Sequence, residues 1–310
     1  MASTTPSSAT RESSALTPMT RRIGAYIALM KPRVIELLLV TTAPVMVLAA
    51  QGIPDLWLVL GTLAGGALSA GSANAFNMYI DRDIDTMMAR TKGRPIVTGE
   101  ISPAKALAFA FTIGAASLVV LTLVANLLAA ALALTAILFY VFIYTLLLKR
   151  RTEQNIVWGG IAGCFPVLIG WAAVTGEITL TPWVLFIVVF LWTPAHYWPL
   201  SLRYANDYAA ASVPMLSVVR SQTAVGLQVI LYAWATVVAS LVLIPVAPMG
   251  LVYIVVAVLA GGWFIVETHL LYGRSLAGRE TKAMRVFHAS NTYLTALFVA
   301  VAIDPLVALR

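Results

Sequence analysis

Charge is scarce in this chain. Only 11% of its 310 residues are Asp, Glu, Lys or Arg, less than half the roughly 25% of an ordinary soluble domain. Hydrophobic residues make up 60%, and a mean hydropathy of +0.90 excludes a soluble domain of this length. Cysteine is almost absent too. Cys164 stands alone, which excludes an internal disulfide and a thiolate metal cluster and argues against redox chemistry by the protein's own thiols. Neither a Walker loop nor a dinucleotide fingerprint occurs, so a nucleotide-driven pump is rejected. The net charge of +7 does not point to nucleic acid, because the basic residues fall between apolar runs, where membrane orientation accounts for them better.

What the chain has in abundance is apolar runs of spanning length, near 34–51, 57–76, 104–124, 127–147, 155–175, 182–202, 223–244, 250–271 and 287–307. Each is close to the roughly 20 residues a helix needs to cross the hydrocarbon. The fold class is therefore all-α: a polytopic membrane protein of about nine helices bundled around a central cavity. Residues 1–22 are rich in Ser, Thr and Pro and read as a disordered cytoplasmic tail, with 23–310 as a single transmembrane domain. No small-residue cleavage site follows Arg21 and Arg22, so a removed signal peptide is not expected. Residues 26–34 read as a short interfacial segment, Lys31 and Arg33 at head-group level and Pro32 opening the next helix. Outside the runs, Lys and Arg collect before span one and after spans two, four, six and eight, while Arg310 alone falls opposite. By the positive-inside rule the amino terminus and the even connections are cytoplasmic, in the cell membrane.

The densest polar stretch, residues 74–95, follows the second run. Read as helix, Asn77, Asp81 and Asp85 are four apart and share one face. Such a ladder of hard oxygens suits Mg²⁺, which takes one or two carboxylates and fills its other positions with water and substrate phosphate. Arg90, Lys92 and Arg94 lie just beyond, where they could meet phosphate charge directly. Asp83 falls off that face and reads as solvated or paired with Arg82. On spacing alone, a charged loop capping a membrane helix remains open.

A second constellation spans residues 191–216. His196 is the histidine in mid-span, flanked by Trp192, Tyr197 and Trp198 and by Pro194 and Pro199, which should kink the helix. An ionisable group inside a span is a functional candidate, the alternative being a hydrogen-bonded structural histidine. Arg203 and Asp207, four apart, could be a surface ion pair or the second half of a phosphate and metal site. Tyr144, Asn155, Ser290 and Asn291 offer hydroxyls and amides to a cavity or to neighbouring helices. Glu36 and Glu267 need partners if buried, and the clustered glycines read as helix-packing surfaces.

The Asn77, Asp81, Asp85 pattern followed by G-R-P-I-V-T-G-E-I-S (93–102) resembles the intramembrane prenyltransferases of the UbiA superfamily. Residues 26–42, 155–173, the P-A-H-Y-W-P-L run and D-Y-A-A-A-S-V-P-M-L (207–216) are similar to its haem-farnesylating branch, over about residues 23 to 303. The resemblance implies a cavity open to lipid, farnesyl diphosphate as donor, haem B as acceptor and Mg²⁺ as cofactor. It also implies that water is added to give haem O for terminal oxidase assembly, with haem A synthase or oxidase assembly factors as partners. Asn77, Asp81, Asp85 and Asp207 are implied as metal ligands and catalytic residues, and His196 as the group orienting haem or water. Lys149 and Arg150 match the family's basic cluster, while Lys31, Arg33, Arg90, Lys92, Arg94, Tyr144, Asn155 and Arg203 are expected to contact substrate. Arg203 departs from the pattern, standing where the commoner D-x-x-x-D has its first Asp; this suggests direct diphosphate contact. Two rivals remain at this stage: a relative using a quinone-precursor or chlorin acceptor, and a secondary transporter, whose paired repeats are not visible here.

Overall fold

In the structure of the protein, a computed structural model, residues 18–247 and 249–308 are described. Residues 1–17, with Arg11, and the terminal Arg310 lie outside the described residues. Among those described there are helices and no strands. Nine helices are long and apolar enough to span a membrane. A preceding helix, α1 (Pro18–Met30), is followed by the nine: α2 (Pro32–Ala50), α3 (Leu56–Ile80), α4 (Pro103–Val124), α5 (Leu127–Leu148), α6 (Asn155–Thr175), α7 (Leu180–Arg203), α8 (Gln222–Val246), α9 (Leu251–Leu276) and α10 (Ala283–Ala308). Every expected span is present, and several run on past their apolar core into polar residues that remain helical.

The amino-terminal expectation needs correcting. Helix α1 already starts at Pro18, so the last residues of the expected tail are helical, and Arg21 pairs with Glu100 at 2.8 Å to tie α1 to the loop before α4. Residues 26–34 are not one interfacial segment either. Lys31 takes a left-handed backbone (φ 55°, ψ 66°) between the two helices, and Pro32 sits in the first turn of α2, where its missing N–H costs nothing.

Small residues bring α3 against α4. A Cβ on Gly61 would lie 2.3 Å from Val124 Cγ1, and one on Gly65 2.6 Å from Leu121 Cγ. Across the same seam Ser117 Oγ donates to Gly65 O at 2.7 Å and Ser72 Oγ to Ala110 O at 2.8 Å. In lipid, where apolar surface gains little by leaving the solvent, such close backbone approach and hydroxyl bonding hold helices together. Asn126 makes the turn between α4 and α5: its Oδ1 accepts from Ala129 N at 2.9 Å and its Nδ2 donates to Ala172 O at 2.7 Å. Helices α7 to α10 enclose the main core, which includes Trp198, Tyr253, Phe264, Tyr293 and Phe298, and α10 and α6 both pack on α2. Helix α7 continues through Pro194 and Pro199.

Asp304 in α10 closes this group at the opposite end from the ladder. It is 4% exposed and accepts from the backbone of Gly250 and, at 3.0 Å, from Tyr253 N, capping α9 from another helix. Replacing a side-chain cap by Ala typically costs about 1–2 kcal/mol. Asp304→Ala should therefore lower the melting temperature in detergent by several degrees; an unchanged melt would contradict the capping role.

Candidate active site

The ladder forms because the helix does not really end at Ile80. Asp81 N donates to Asn77 O and Asp85 N to Asp81 O, each at 2.9 Å, so the i, i+4 spacing carries across the junction into the turn Arg82–Asp85. Asn77 and Asp85 are each 2% exposed and Asp81 is 0%. Asn77 Nδ2 donates to Asp81 Oδ2 at 2.7 Å and to Thr145 Oγ1 at 3.2 Å.

Burying carboxylates costs several kcal/mol each unless cations and hydrogen bonds compensate. Four cations arrive from three other segments. Lys149 pairs with Asp81, Arg150 reaches Asp81 Oδ1 at 3.4 Å, Arg94 pairs with Asp85 Oδ2 at 2.6 Å, and Lys31 Nζ donates to Asn77 Oδ1 at 2.8 Å. The left-handed turn at Lys31 is what aims it inward instead of at the head groups. Burial, then the nearby charges of Arg94 and Lys149, pushes the Lys31 ammonium well below the ordinary lysine range. An arriving anion favours its charged form.

Asp83 does not pair with Arg82. Arg150 forks onto both its oxygens at 2.7 Å, while Arg82 donates to Tyr79 O. Those two bonds hold the Asp83 carboxyl down at about 2. Its stabilising effect is present above the ordinary carboxylate range and fades only as pH falls toward that value.

Lys149 is delivered by an unusual helix. From Phe139 to Leu148, α5 is a π-helix, a widened form that often marks functional sites. Lys149 N donates to Tyr144 O at 2.9 Å and Thr145 Oγ1 to Tyr140 O at 2.9 Å, both five residues back. The wider turn puts Thr145 on Asn77 and brings Tyr140 and Tyr144 together, their rings tilted by 39° with centres 5.1 Å apart. Tyr144 is seated on Gly159, where any Cβ would lie 2.1 Å from its ring.

Behind the ladder lies an apolar cavity among α2, α3, α5 and α6, with an empty space of about 790 Å³ counting its mouth. The α3 residues that line it are Thr62, Gly66, Ser69, Ala70, Ala73 and Asn74. At three- and four-residue steps these share the face that continues to Asn77 and Asp81. Tyr140 also lines it, next to the ladder end. One helix face thus runs from an oily slot to a charged head.

Other expected residues fall elsewhere. Arg33 and Lys92 are exposed and neither makes an ion pair among the described residues. Arg203 and Asp207 do not pair: α7 ends at Arg203 and a break at Tyr204 separates it from the short helix Ala205–Ala210, so helical i, i+4 geometry does not apply. Arg203 instead borders a separate polar cleft with Gln222, Glu280 and Lys282. Asp207 Oδ2 accepts from Arg90 N at 3.2 Å and has no contact with the ladder. Arg90 lies over the rings of Tyr204 and Tyr208, 5.4 and 5.9 Å from their centres, and Tyr197 and Tyr208 share a 2.8 Å hydrogen bond. Burial, with Tyr197, keeps the Tyr208 phenol well above its ordinary range and so neutral. Asn155 is fully buried; its Nδ2 donates to Thr152 O at 2.7 Å and its Oδ1 has no partner. His196 is stacked between Trp192 and Phe287, with centres 4.2 and 4.5 Å away, and its Nδ1 lies 2.8 Å from Ser290 Oγ. Glu267 is paired with Arg285 at 2.6 Å.

Tyr140, Thr145 and Thr91 belong to the site and were missed by sequence reading. Thr91 Oγ1 donates to Asp85 O at 2.9 Å, bracing the turn. Tyr140 lies four before Tyr144, a signal that was available; the π-helical contact of Thr145 had none. Among the described residues no group of three or more His, Cys, Asp or Glu could hold a metal. Two carboxylates and an amide nevertheless fit Mg²⁺, which leaves most positions to phosphate and water.

A family model described as the UbiA prenyltransferase family matches residues 38–291. The chain belongs to that family. Among curated UbiA relatives it is 66% identical over 286 residues to the protoheme IX farnesyltransferase of Clavibacter michiganensis subsp. michiganensis, covering 92% of this chain and 94% of the relative. It is 62% identical to that of Leifsonia xyli subsp. xyli, over 93% of this chain and 94% of the relative. Solved UbiA structures share the fold at low identity. A structure described as digeranylgeranylglyceryl phosphate synthase gives a TM-score of 0.74 at 16% identity, covering 92% of this chain and 99% of that one. A UbiA homolog from Archaeoglobus fulgidus bound to DMAPP and Mg²⁺ gives 0.67 at 16%, with 90% and 99% covered.

Removing one partner of a buried pair leaves an uncompensated charge, worth about 3–5 kcal/mol. Arg94→Met should destabilise the protein accordingly in detergent melts, and adding Asp85→Asn should recover most of the loss. An equal loss in the double variant would show that the pair does not carry the effect.

Proposed function

We propose that this protein transfers the farnesyl group of farnesyl diphosphate to a vinyl group of haem B, with addition of water, giving haem O. The observation that carries the prenyl-transfer half is the shared face of α3, whose apolar, cavity-lining part leads directly into the buried ladder of Asn77, Asp81 and Asp85. Haem as acceptor is supported by the names of relatives 55–66% identical to this chain.

Asp81 and Asp85, with Asn77, would hold Mg²⁺, and the Mg²⁺ reported with a UbiA homolog supports a divalent ion. When bound, the ion neutralises diphosphate oxygens and so favours departure of the leaving group. Arg94, Lys149 and Arg150, beside the two carboxylates, and Lys31, on Asn77 Oδ1, would meet the diphosphate, arginine by paired bonds and lysine as a point charge. The allylic carbon–oxygen bond breaks, diphosphate keeps the electron pair, and positive charge spreads over the prenyl end. The Tyr140 and Tyr144 rings, beside the ladder, offer their π faces to that charge. Apolar walls exclude water while it exists. The vinyl π electrons then form the new carbon–carbon bond, and the resulting benzylic-type cation takes a water molecule and loses a proton, leaving a hydroxyl. His196 and Asp207 stand outside the ladder. In this reading His196 positions the acceptor and Asp207, through Arg90 N, steadies the loop that carries Arg94 to the ladder. The site faces the cytoplasm of the cell membrane, since Lys and Arg collect on that side.

The test is to incubate purified protein with haem B, farnesyl diphosphate and Mg²⁺. Haem should gain the mass of farnesyl plus water, and chelation of the ion should abolish the gain. No prenylated haem, with a quinone precursor or chlorin prenylated instead, would overturn the acceptor assignment. Asp81→Ala and Asp85→Ala should each lower turnover by about 10²-fold or more without loss of membrane insertion, whereas Asp83→Asn should cost far less.

A further inference from the structure

The apolar cavity is open where two glycines face it. Gly66, in mid-α3, and Gly163, in the tight turn Gly160–Cys164 of α6, both line it, and a Cβ added at either would have no heavy atom within 4 Å. Neighbouring glycines behave otherwise. Gly61 and Gly65 are closed against α4, Gly159 seats Tyr144, and a Cβ on Gly160 would lie 2.8 Å from Thr193 Cγ2. Those four are small because a neighbour fills their place; Gly66 and Gly163 leave theirs empty. Neither of the two has a positive φ, so the backbone does not require glycine there. A helix interior also loses stability with Gly relative to Ala, so what glycine supplies at these sites is space.

That space lies at a defined depth. At 1.5 Å per residue, Gly66 is about 16 Å of helix rise from Asn77, with Ala73 and Ala70 between. Thr62, one turn further, stands about 22 Å from Asn77 and has a buried hydroxyl without a partner, an unfavourable end for more hydrocarbon. A prenyl chain whose diphosphate sits at the ladder and whose tail follows the α3 face passes Ala73 and Ala70 first, then reaches Gly66, while Gly163 lines the same cavity from α6. We propose that Gly66 and Gly163 determine donor length, leaving room for the terminal isoprene unit of a farnesyl chain. The proposal rests on the prenyl-transfer reading of the site and not on the identity of the acceptor.

The test is a binding measurement without acceptor. Full-length protein with Mg²⁺ is titrated with the S-thiolodiphosphates of geraniol, farnesol and geranylgeraniol, which keep head and tail but do not ionise readily. The wild type should prefer farnesyl. Gly66→Leu and Gly163→Val should each weaken farnesyl binding by about tenfold or more, as expected for lost apolar fit, while geranyl binding changes far less. Gly66→Ala, which keeps the site folded and half open, should fall between. Retained geranyl binding certifies a folded variant, and if one glycine variant does not fold the other carries the test. Equal weakening of the geranyl and farnesyl analogues, or no change in either, overturns the assignment. Because haem is absent, the preference should persist even if the acceptor proves to be another molecule. Loss of the preference alongside intact haem farnesylation would refute the length assignment alone.

Discussion

Two carboxylates buried to 0% and 2% exposure inside a membrane-embedded bundle are costly unless cations and hydrogen bonds stand beside them. Much of the molecule's irregular structure serves that pairing. The left-handed turn before Pro32 swings Lys31 inward. The π-helical end of α5 delivers Lys149. The loop after the ladder folds back far enough for Arg94 to reach Asp85, braced by Thr91 on Asp85 O. Each device departs from regular helix, and each ends on the same three side chains. Under the proposed reaction, these pre-arranged cations would meet the anionic oxygens of a diphosphate and the carboxylates its divalent ion.

Helix α3 joins this head to a hydrocarbon slot. Its glycines and serines serve two faces. One face lets α4 approach until Val124 and Leu121 fill the space of missing side chains; the other opens into the cavity and then carries Asn77 and Asp81. A single amphiphilic ligand laid along the second face would have its charged end among the cations and its apolar end against Ala70 and Gly66.

How far the chain could be read without coordinates depended on whether local periodicity still held. The spans were legible, since nothing but a membrane explains nine apolar runs separated by charges that alternate in density. So was the ladder, because helical hydrogen bonding continues from Asn77 through Asp85. Arg203 and Asp207 misled for the opposite reason: the helix breaks at Tyr204 between them, and a four-residue spacing then carries no geometry. Lys31 was placed at the head groups because a left-handed residue before proline leaves no mark in composition. Asp83 was assigned to its neighbour Arg82, although Arg150, distant in sequence, forks onto it. Thr145 was illegible, its contact depending on a five-residue turn that a period of 3.6 does not anticipate.

The central claim is that one face of α3 holds a prenyl diphosphate, head at Asp81 and Asp85, tail toward Gly66. An experimental structure with farnesyl S-thiolodiphosphate and Mn²⁺ tests it most directly, because anomalous scattering locates the ion independently of the chain. The account predicts the manganese signal against Asp81 and Asp85, the diphosphate among Lys31, Arg94 and Lys149, and the tail between Gly66 and Gly163. A metal bound away from those carboxylates, or a tail lying outside the α2, α3, α5 and α6 cavity, would contradict it.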